Sequence, residues 1–311
     1  MSDAAASPQR VVVIAGPTAS GKSGVALALA ERCDGAIINA DALQVYRELA
    51  ILTARPDAAA LARAPHHLYG VLAASEPCSA ARWRALALDA IAAVVPRLPI
   101  VVGGTGLYLR ALLRGLAPLP PVPAAIRAAA AARRQALGAD AFHREVAARD
   151  PAMAARLPPG DTQRLIRAWE IVEATGRPWS EWIAAPDEPP PSGLRFDVMV
   201  VAPPRAALYR AIDHRLETML EQGALDEVRA LLDLDPALPI HKALGARELA
   251  RHLRGELALP EALAAAQQAT RRYAKRQMTW LRHQLPEATW VDTQYSDQLD
   301  PRIFSFIREM G

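Results

Sequence analysis

Residues 16–23 read Gly16-Pro17-Thr18-Ala19-Ser20-Gly21-Lys22-Ser23, a complete G-x-x-x-x-G-K-[ST] motif. No other short stretch limits the possible folds so sharply, because the motif works only between a strand and a helix. The flanks supply both. Residues 11–15 (VVVIA) form an apolar, β-branched run, and an alanine-rich helical stretch follows from Lys22 to Cys33. Gly16 and Gly21 let the backbone curl until successive N–H groups point inward, and the helix N-terminus adds partial positive charge. Lys22 supplies a mobile cation, and the Ser23 hydroxyl is the expected Mg²⁺ contact. The motif is the mark of nucleotide- and ATP-binding proteins, but by itself it specifies a diphosphate and not which one.

Further strands are expected at 35–39 (GAIIN), 98–104 (LPIVVGG) and 196–201 (FDVMVV), with helices between them. Strands alternating with helices predict an α/β fold: a P-loop, NTPase-like parallel sheet flanked by helices. Proline-rich stretches at 118–123 (PLPPVP) and 185–193 (APDEPPPSG) bracket a region with helical patterning and no strand candidate. This predicts an all-helical insertion domain at 119–193 within a core formed by 1–118 and 194–311. A long helix is expected from Pro260 to about Leu285, roughly 35–40 Å in length.

Composition excludes several classes. Two cysteines, Cys33 and Cys78, cannot make a disulfide scaffold or a four-ligand zinc site. No uninterrupted apolar run reaches membrane-spanning length, and the N-terminal residues lack a signal-peptide pattern, so a cytoplasmic protein without a membrane partner is expected. Net charge is +3, yet only three of the 36 basic residues are lysine: Lys22, Lys242 and Lys275. Codon bias in a GC-rich genome is the ordinary cause of such an arginine excess. Even so, a lysine-poor chain places one lysine in the phosphate loop and one in a basic helix. In that helix Arg271, Arg272, Lys275, Arg276 and Arg282 fall within an arc of roughly 140°, with no acidic residue between 262 and 286. A cationic stripe near Tyr273 and Trp280 suits a nucleic-acid backbone; a solvated face is the ordinary alternative. His66 and His67, neighbours with no third ligand nearby in sequence, make a poor metal pair.

Small P-loop kinases usually place an Asp at the end of a neighbouring strand to organise Mg²⁺. Here the 98–102 run ends in Gly103-Gly104-Thr105-Gly106 instead. The segments DALQVY (41–46), GGTGLYLRALLRGL (103–116), DTQRLIRAWEI (161–171) and TRRYAKRQMTWLR (270–282), with GPTASGKS, together resemble the bacterial tRNA dimethylallyltransferase family. The resemblance runs from about residue 11 to 293. It implies transfer of a dimethylallyl group from dimethylallyl pyrophosphate to N6 of adenosine 37, beside the anticodon. The implied partners are the tRNA anticodon stem-loop and dimethylallyl pyrophosphate, with Mg²⁺ as cofactor and a single chain as the working unit.

The resemblance also assigns residues. Asp41 matches the catalytic base, although an Asp past a strand end also serves as a cap. Thr105 matches a threonine near the reacting adenine, and Lys22 and Arg215 match cations on the leaving pyrophosphate. Of an R-x-x-x-R pair only Arg215 fits, since Ala211 stands at the earlier position and Arg210 is one place off. RNA contacts are implied for Asp41, Ala42, Leu43, Gln44 and Thr105, for Arg127, and for Gln163, Arg164, Leu165, Ile166 and Arg167. They are implied too for Lys242, Gly245 and Arg247, and helical spacing adds Arg271, Arg272, Lys275 and Arg276. The chain departs from the family at Ala42, where serine is usual, and at Ala246, where tyrosine is usual. Three other readings compete: a metabolite kinase using ATP, a prenyltransferase acting on free AMP, and a non-catalytic RNA-binding protein. The intact Lys22, Asp41 and Thr105 count against the last, and the basic helix and QRLIR segment against the first two.

Overall fold

The computed structural model of the chain describes residues 8–184, 193–292 and 306. The chain divides into two compact units, one formed by Met1–Leu113 with Pro191–Gly311 and the other by Arg114–Pro190.

In chain order, β1 (Gln9–Ala15) leads through the phosphate loop into α1 (Lys22–Arg32) and β2 (Gly35–Asn39). Then come α2 (Ala58–Arg63), β3 (His66–His67), α3 (Ala80–Ala93), β4 (Leu98–Gly103) and α4 (Gly106–Arg114). The second unit supplies α5 (Ala124–Arg149), α6 (Pro151–Ala154), α7 (Thr162–Thr175) and α8 (Trp179–Ala184). The chain returns with β5 (Leu194–Val201), α9 (Arg205–Glu221), α10 (Ala224–Leu232), α11 (Ala246–Leu253), α12 (Leu259–Gln284) and β6 (Thr289–Val291).

The six strands form one parallel sheet in the order β3-β2-β4-β1-β5-β6. β1 lies between β4 and β5, so Val11 to Ala15 are covered on both faces and fully buried. That burial is why the run reads as continuously apolar and does not alternate. One face packs on α3, α4, α9 and α12 through residues such as Trp83, Leu112, Ile212 and Leu281. The other packs on α1 through Val25, Ala26 and Leu29. Strand ends are level, with Ala15 opposite Gly103 and Asn39 opposite Val102. Loops that follow β1, β2 and β4 therefore meet at one edge, where ligands of open α/β sheets bind.

The two shortest strands, β3 and β6, were not expected from the sequence. They extend the sheet at its two edges by pairing with β2 and β5. Runs of two and three residues carry no period of their own, so only the neighbouring strand defines them.

The second unit is helical throughout its described residues. Phe142, Val146, Leu165 and Trp169 form its core. α5 breaks at Gly138, whose φ of 75° interrupts the helix. Asp150 is buried and anchors two elements, accepting from the Met153 N–H at the start of α6 and from the Ser180 N–H and hydroxyl in α8. The proline-rich stretch at 185–192 lies outside the described residues.

Candidate active site

The phosphate loop takes its shape from two left-handed residues, Ala19 (φ 62°) and Gly21 (φ 87°). Alanine in that region is strained by an amount on the order of 1 kcal/mol or more, and such strain concentrates at functional loops. Lys22 Nζ bends back to donate to the Pro17 carbonyl at 3.2 Å. Burial lowers the Lys22 pKa to about 8; the nearby Asp41 carboxylate opposes that shift, and Arg215 adds to it. Burial likewise lowers the Arg215 pKa, again with Asp41 opposing. Lys22, Asp41 and Arg215 thus lie within one another's electrostatic reach although 19 to 193 residues separate them in sequence.

Thr18 is held from two sides. Its hydroxyl accepts from Arg215 Nη2 at 2.5 Å, and its N–H donates to Gln277 Oε1 at 2.8 Å. Two buried donors at the loop, Ser20 Oγ and Arg215 Nε, have no hydrogen-bond partner among the described residues. Buried polar atoms are normally paired, and a cluster of unpaired donors beside a lysine is suited to phosphoryl oxygens.

The acceptor side of the site follows β2 and β4. Asn39 is buried at the end of β2 and fixes the turn. Its side-chain oxygen accepts from Asp41 N–H at 2.8 Å, and its amide donates to the Asp41 and Leu68 carbonyls, each at 3.0 Å. Trp83 Nε1 donates to the Asn39 carbonyl at 2.8 Å. Asp41 Oδ1 accepts from Leu43 N–H at 2.9 Å; among the described residues Oδ2 has no such partner. The local turn contact thus occupies one oxygen of the carboxylate and leaves the other able to accept from a ligand. Thr105 Oγ1 accepts from Ala42 N–H at 3.0 Å, which joins the two loops and leaves the hydroxyl proton to donate elsewhere. With alanine at 42, this contact is made by the backbone.

The glycines after β4 answer to crowding. A Cβ at Gly103 would lie 2.2 Å from the Ala40 carbonyl oxygen, and one at Gly104 would lie 2.7 Å from Gly16 O and 2.4 Å from Gln277 Nε2. The GGTG sequence that stands where kinases carry an Asp is thus a tight seam against the phosphate loop.

Gln44, expected to read a base edge, donates through Nε2 to the carbonyls of Thr53 at 2.8 Å and Ala54 at 3.2 Å. Its loop is further pinned by Glu227 of α10, whose carboxylate accepts from the N–H groups of Ala50, Ile51 and Leu52 at 2.7 to 2.9 Å. Three tyrosines sense Asp41. Burial foremost, then the Asp41 charge, raises the Tyr69 phenol and pushes Tyr273 up to about 12 despite nearby Arg276; Tyr108 is raised by burial, then by Cys78 and Tyr46, and least by Asp41. The sequence does not single out Gln277, Glu227 or Asn39, whereas it places Tyr273 beside the cationic stripe. Gln277 lies inside the TRRYAKRQMTWLR segment, but nothing local to that segment marks it as buried.

The residues expected at an RNA surface sort by exposure. Arg272, Lys275, Arg276 and Arg282 are exposed along α12, whereas Arg271 is half-buried and ion-paired with Asp213 of α9. Lys242 and Arg247 are exposed. Gly245 is buried, and its φ of 85° makes it the turn residue before α11, so its place in the expected surface is corrected to a backbone role. In the helical unit Arg127, Gln163 and Arg164 are exposed, Arg164 being paired with Asp161. Arg167 pairs with the buried Glu170. The expectation for Leu165 is also corrected: it is fully buried in that unit's core, and Ile166 packs partly against the same core. A contiguous QRLIR block cannot present every side chain outward, because a helix turns by about 100° per residue.

A family model described as IPP transferase matches residues 44–284, and one described as isopentenyl transferase matches 9–68. A tRNA dimethylallyltransferase of Rhodospirillum centenum is 58% identical over 286 residues, covering 91% of each chain. Among solved structures, the full-length tRNA isopentenylpyrophosphate transferase of Bacillus halodurans is 33% identical, with a TM-score of 0.67 over 97% of this chain and 95% of that one. A eukaryotic dimethylallyltransferase acting on tRNA is 26% identical, with a TM-score of 0.78 over 91% of this chain and 74% of that one.

Proposed function

The chain belongs to the IPP transferase family, and on that premise we propose how its residues divide the work of tRNA prenylation. The enzyme transfers a dimethylallyl group from dimethylallyl pyrophosphate to tRNA. The acceptor is N6 of adenosine 37 in the anticodon stem-loop. The C1–O bond of the donor breaks, a C1–N6 bond forms, pyrophosphate leaves, and the N6 proton passes to Asp41.

Negative charge grows on the departing pyrophosphate, so the useful groups are donors preorganised around it. The reading is supported most by the convergence of Lys22, Arg215 and the unpaired donors Ser20 Oγ and Arg215 Nε on one loop. The acceptor amine is a weak nucleophile because its lone pair is delocalised into adenine, and a carboxylate must orient it and take its proton. Asp41 Oδ2 is suited to that task, with Thr105 donating from the adjoining turn.

Ser23, in the first turn of α1, is the residue that would hold Mg²⁺. Mg²⁺ keeps several waters and binds largely through substrate phosphates, so one hard oxygen donor beside the loop fits it. Among the described residues no group of three or more His, Cys, Asp or Glu side chains forms a protein cage. When bound, the ion would neutralise charge on pyrophosphate oxygens.

The adenosine must leave its stack to reach Asp41. The exposed cations of α12 are proposed as tRNA contacts of the sheet unit, and the exposed residues Arg127, Gln163 and Arg164 as tRNA contacts of the helical unit. The test is a transfer assay with carbon-labelled dimethylallyl pyrophosphate and two unmodified transcripts, one with adenosine at 37 and one with guanosine. Label in the first alone is expected. Equal label in both would overturn the proposed acceptor.

A further inference from the structure

Gln277 is buried on α12, a helix whose neighbouring positions are largely cationic. A long polar side chain is seldom buried in a helix core unless its hydrogen bonds are met. Both ends of this amide are used. Oε1 accepts from Thr18 N–H in the phosphate loop, and Nε2 donates to the Gly104 carbonyl in the turn before Thr105, each at 2.8 Å. The partners fix the amide's orientation, since a backbone N–H only donates and a carbonyl only accepts. Gly104 packs so closely here that a Cβ would meet both Gly16 O and the Gln277 amide.

The two contacts lie on opposite sides of the reaction. Thr18 belongs to the loop read as holding pyrophosphate, and its hydroxyl accepts from Arg215. Gly104 precedes Thr105, which bonds the Ala42 N–H next to Asp41. Hydrogen bonds and adjacent peptide links thus connect Arg215 through Thr18 and Gln277 to Gly104, then Thr105 and the Ala42 N–H beside Asp41. We propose that Gln277 is a positioning residue that sets the donor subsite in register with the acceptor subsite. The proposal rests on the prenyl-transfer reading above. Its consequence is kinetic: the amide touches neither reacting atom, but a misplacement of about 1 Å between reacting groups can cost on the order of 10²-fold in rate.

The test uses two near-isosteric variants of the full chain. In Gln277→Glu the protonated side chain offers one donor and one acceptor as glutamine does, whereas the carboxylate sets an acceptor against the Gly104 carbonyl. Gln277→Met offers neither at any pH. Single-turnover transfer from labelled dimethylallyl pyrophosphate to tRNA is measured at pH 6 and 8.5, with tRNA affinity and melting temperature alongside. For Gln277→Glu, a loss of about 10²-fold relative to wild type is expected at pH 8.5, shrinking at least tenfold at pH 6. Gln277→Met is expected to stay equally slow at both, and both variants should hold tRNA within about threefold of wild type. Wild-type rates in both variants would overturn the proposal. So would pH-independent losses in Gln277→Glu, or losses of rate that track tRNA affinity and melting temperature, which would make Gln277 a folding residue. Failure of wild type itself to label tRNA would strike the underlying reading instead, so the two failures are separable.

Discussion

The two units treat their candidate functional residues in opposite ways. In the sheet unit Lys22, Asp41, Thr105 and Arg215 are tied by hydrogen bonds or close electrostatics to residues from other elements, through Thr18, Asn39 and Gln277. In the helical unit Arg127, Gln163 and Arg164 are exposed, and the Arg164 partner, Asp161, is three positions away at the cap of the same helix. Chemistry at a bond needs groups fixed to fractions of an ångström, which close packing supplies. A grip on a phosphate backbone needs charge near a surface, where exact placement matters less and salt screens the attraction. Loss of a residue should therefore slow the chemical step in the first unit and weaken RNA affinity in the second.

The largest effect is expected at Asp41. Asp41→Ala should lower kcat by about 10³-fold, within the range seen for removal of a general base, and leave tRNA affinity within about threefold. A matching loss of affinity would make Asp41 a binding residue and blur the contrast between the units. Gly104→Ala should come next. Its Cβ has no room between Gly16 O and Gln277 Nε2, so kcat should fall by about 10²-fold. Full activity would show that the seam yields easily.

Replacing Arg272, Lys275 and Arg276 together by alanine should weaken tRNA binding and reduce the salt slope of log Kd by about 2, with kcat at saturating tRNA little changed. These residues belong to the sheet unit but are exposed, so the experiment asks whether exposure or unit membership decides the outcome. An unchanged slope would return α12 to the status of a solvated face. Arg271 is ion-paired with Asp213, and Arg271→Ala alone should alter the slope less than loss of any one exposed cation.

The smallest effect is in pH dependence. A lysine whose pKa is lowered to about 8 is cationic below that pH and neutral above it. In the free enzyme kcat/KM for dimethylallyl pyrophosphate should therefore fall as pH rises through about 8. Bound pyrophosphate raises the Lys22 pKa, so kcat should hold to higher pH. Stability has the opposite sign. Between about 8 and the ordinary lysine value of 10.5 the unfolded chain binds more protons, so this group favours the folded state as pH rises across that window. A kcat/KM profile flat to pH 10 would remove Lys22 from pyrophosphate binding.

Much of this was legible in the sequence for a physical reason. The central strands β1, β2 and β4 are buried on both faces and must be apolar, and the phosphate loop works only in one context. The insertion expected at 119–193 rests on helical patterning without a strand candidate; the second compact unit runs from Arg114 to Pro190. What could not be read depends on distant partners. β3 and β6 exist only because β2 and β5 offer an edge to pair with. The Gln277 bridge joins residues 173 and 259 positions apart, and Asp213 lies 58 positions from Arg271. Leu165 differs for another reason: in the five-residue helical block 163–167 the middle residue turns into the core while Gln163 and Arg164 face outward.

The claim on which the rest depends is that this phosphate loop serves a prenyl diphosphate and not ATP. The most direct measurement incubates pure protein, Mg²⁺ and unmodified tRNA with carbon-labelled dimethylallyl pyrophosphate, with and without γ-labelled ATP. The account predicts label in tRNA without ATP, and no release of γ-phosphate during turnover. Transfer that requires ATP, or ATP consumption in step with it, would contradict the account.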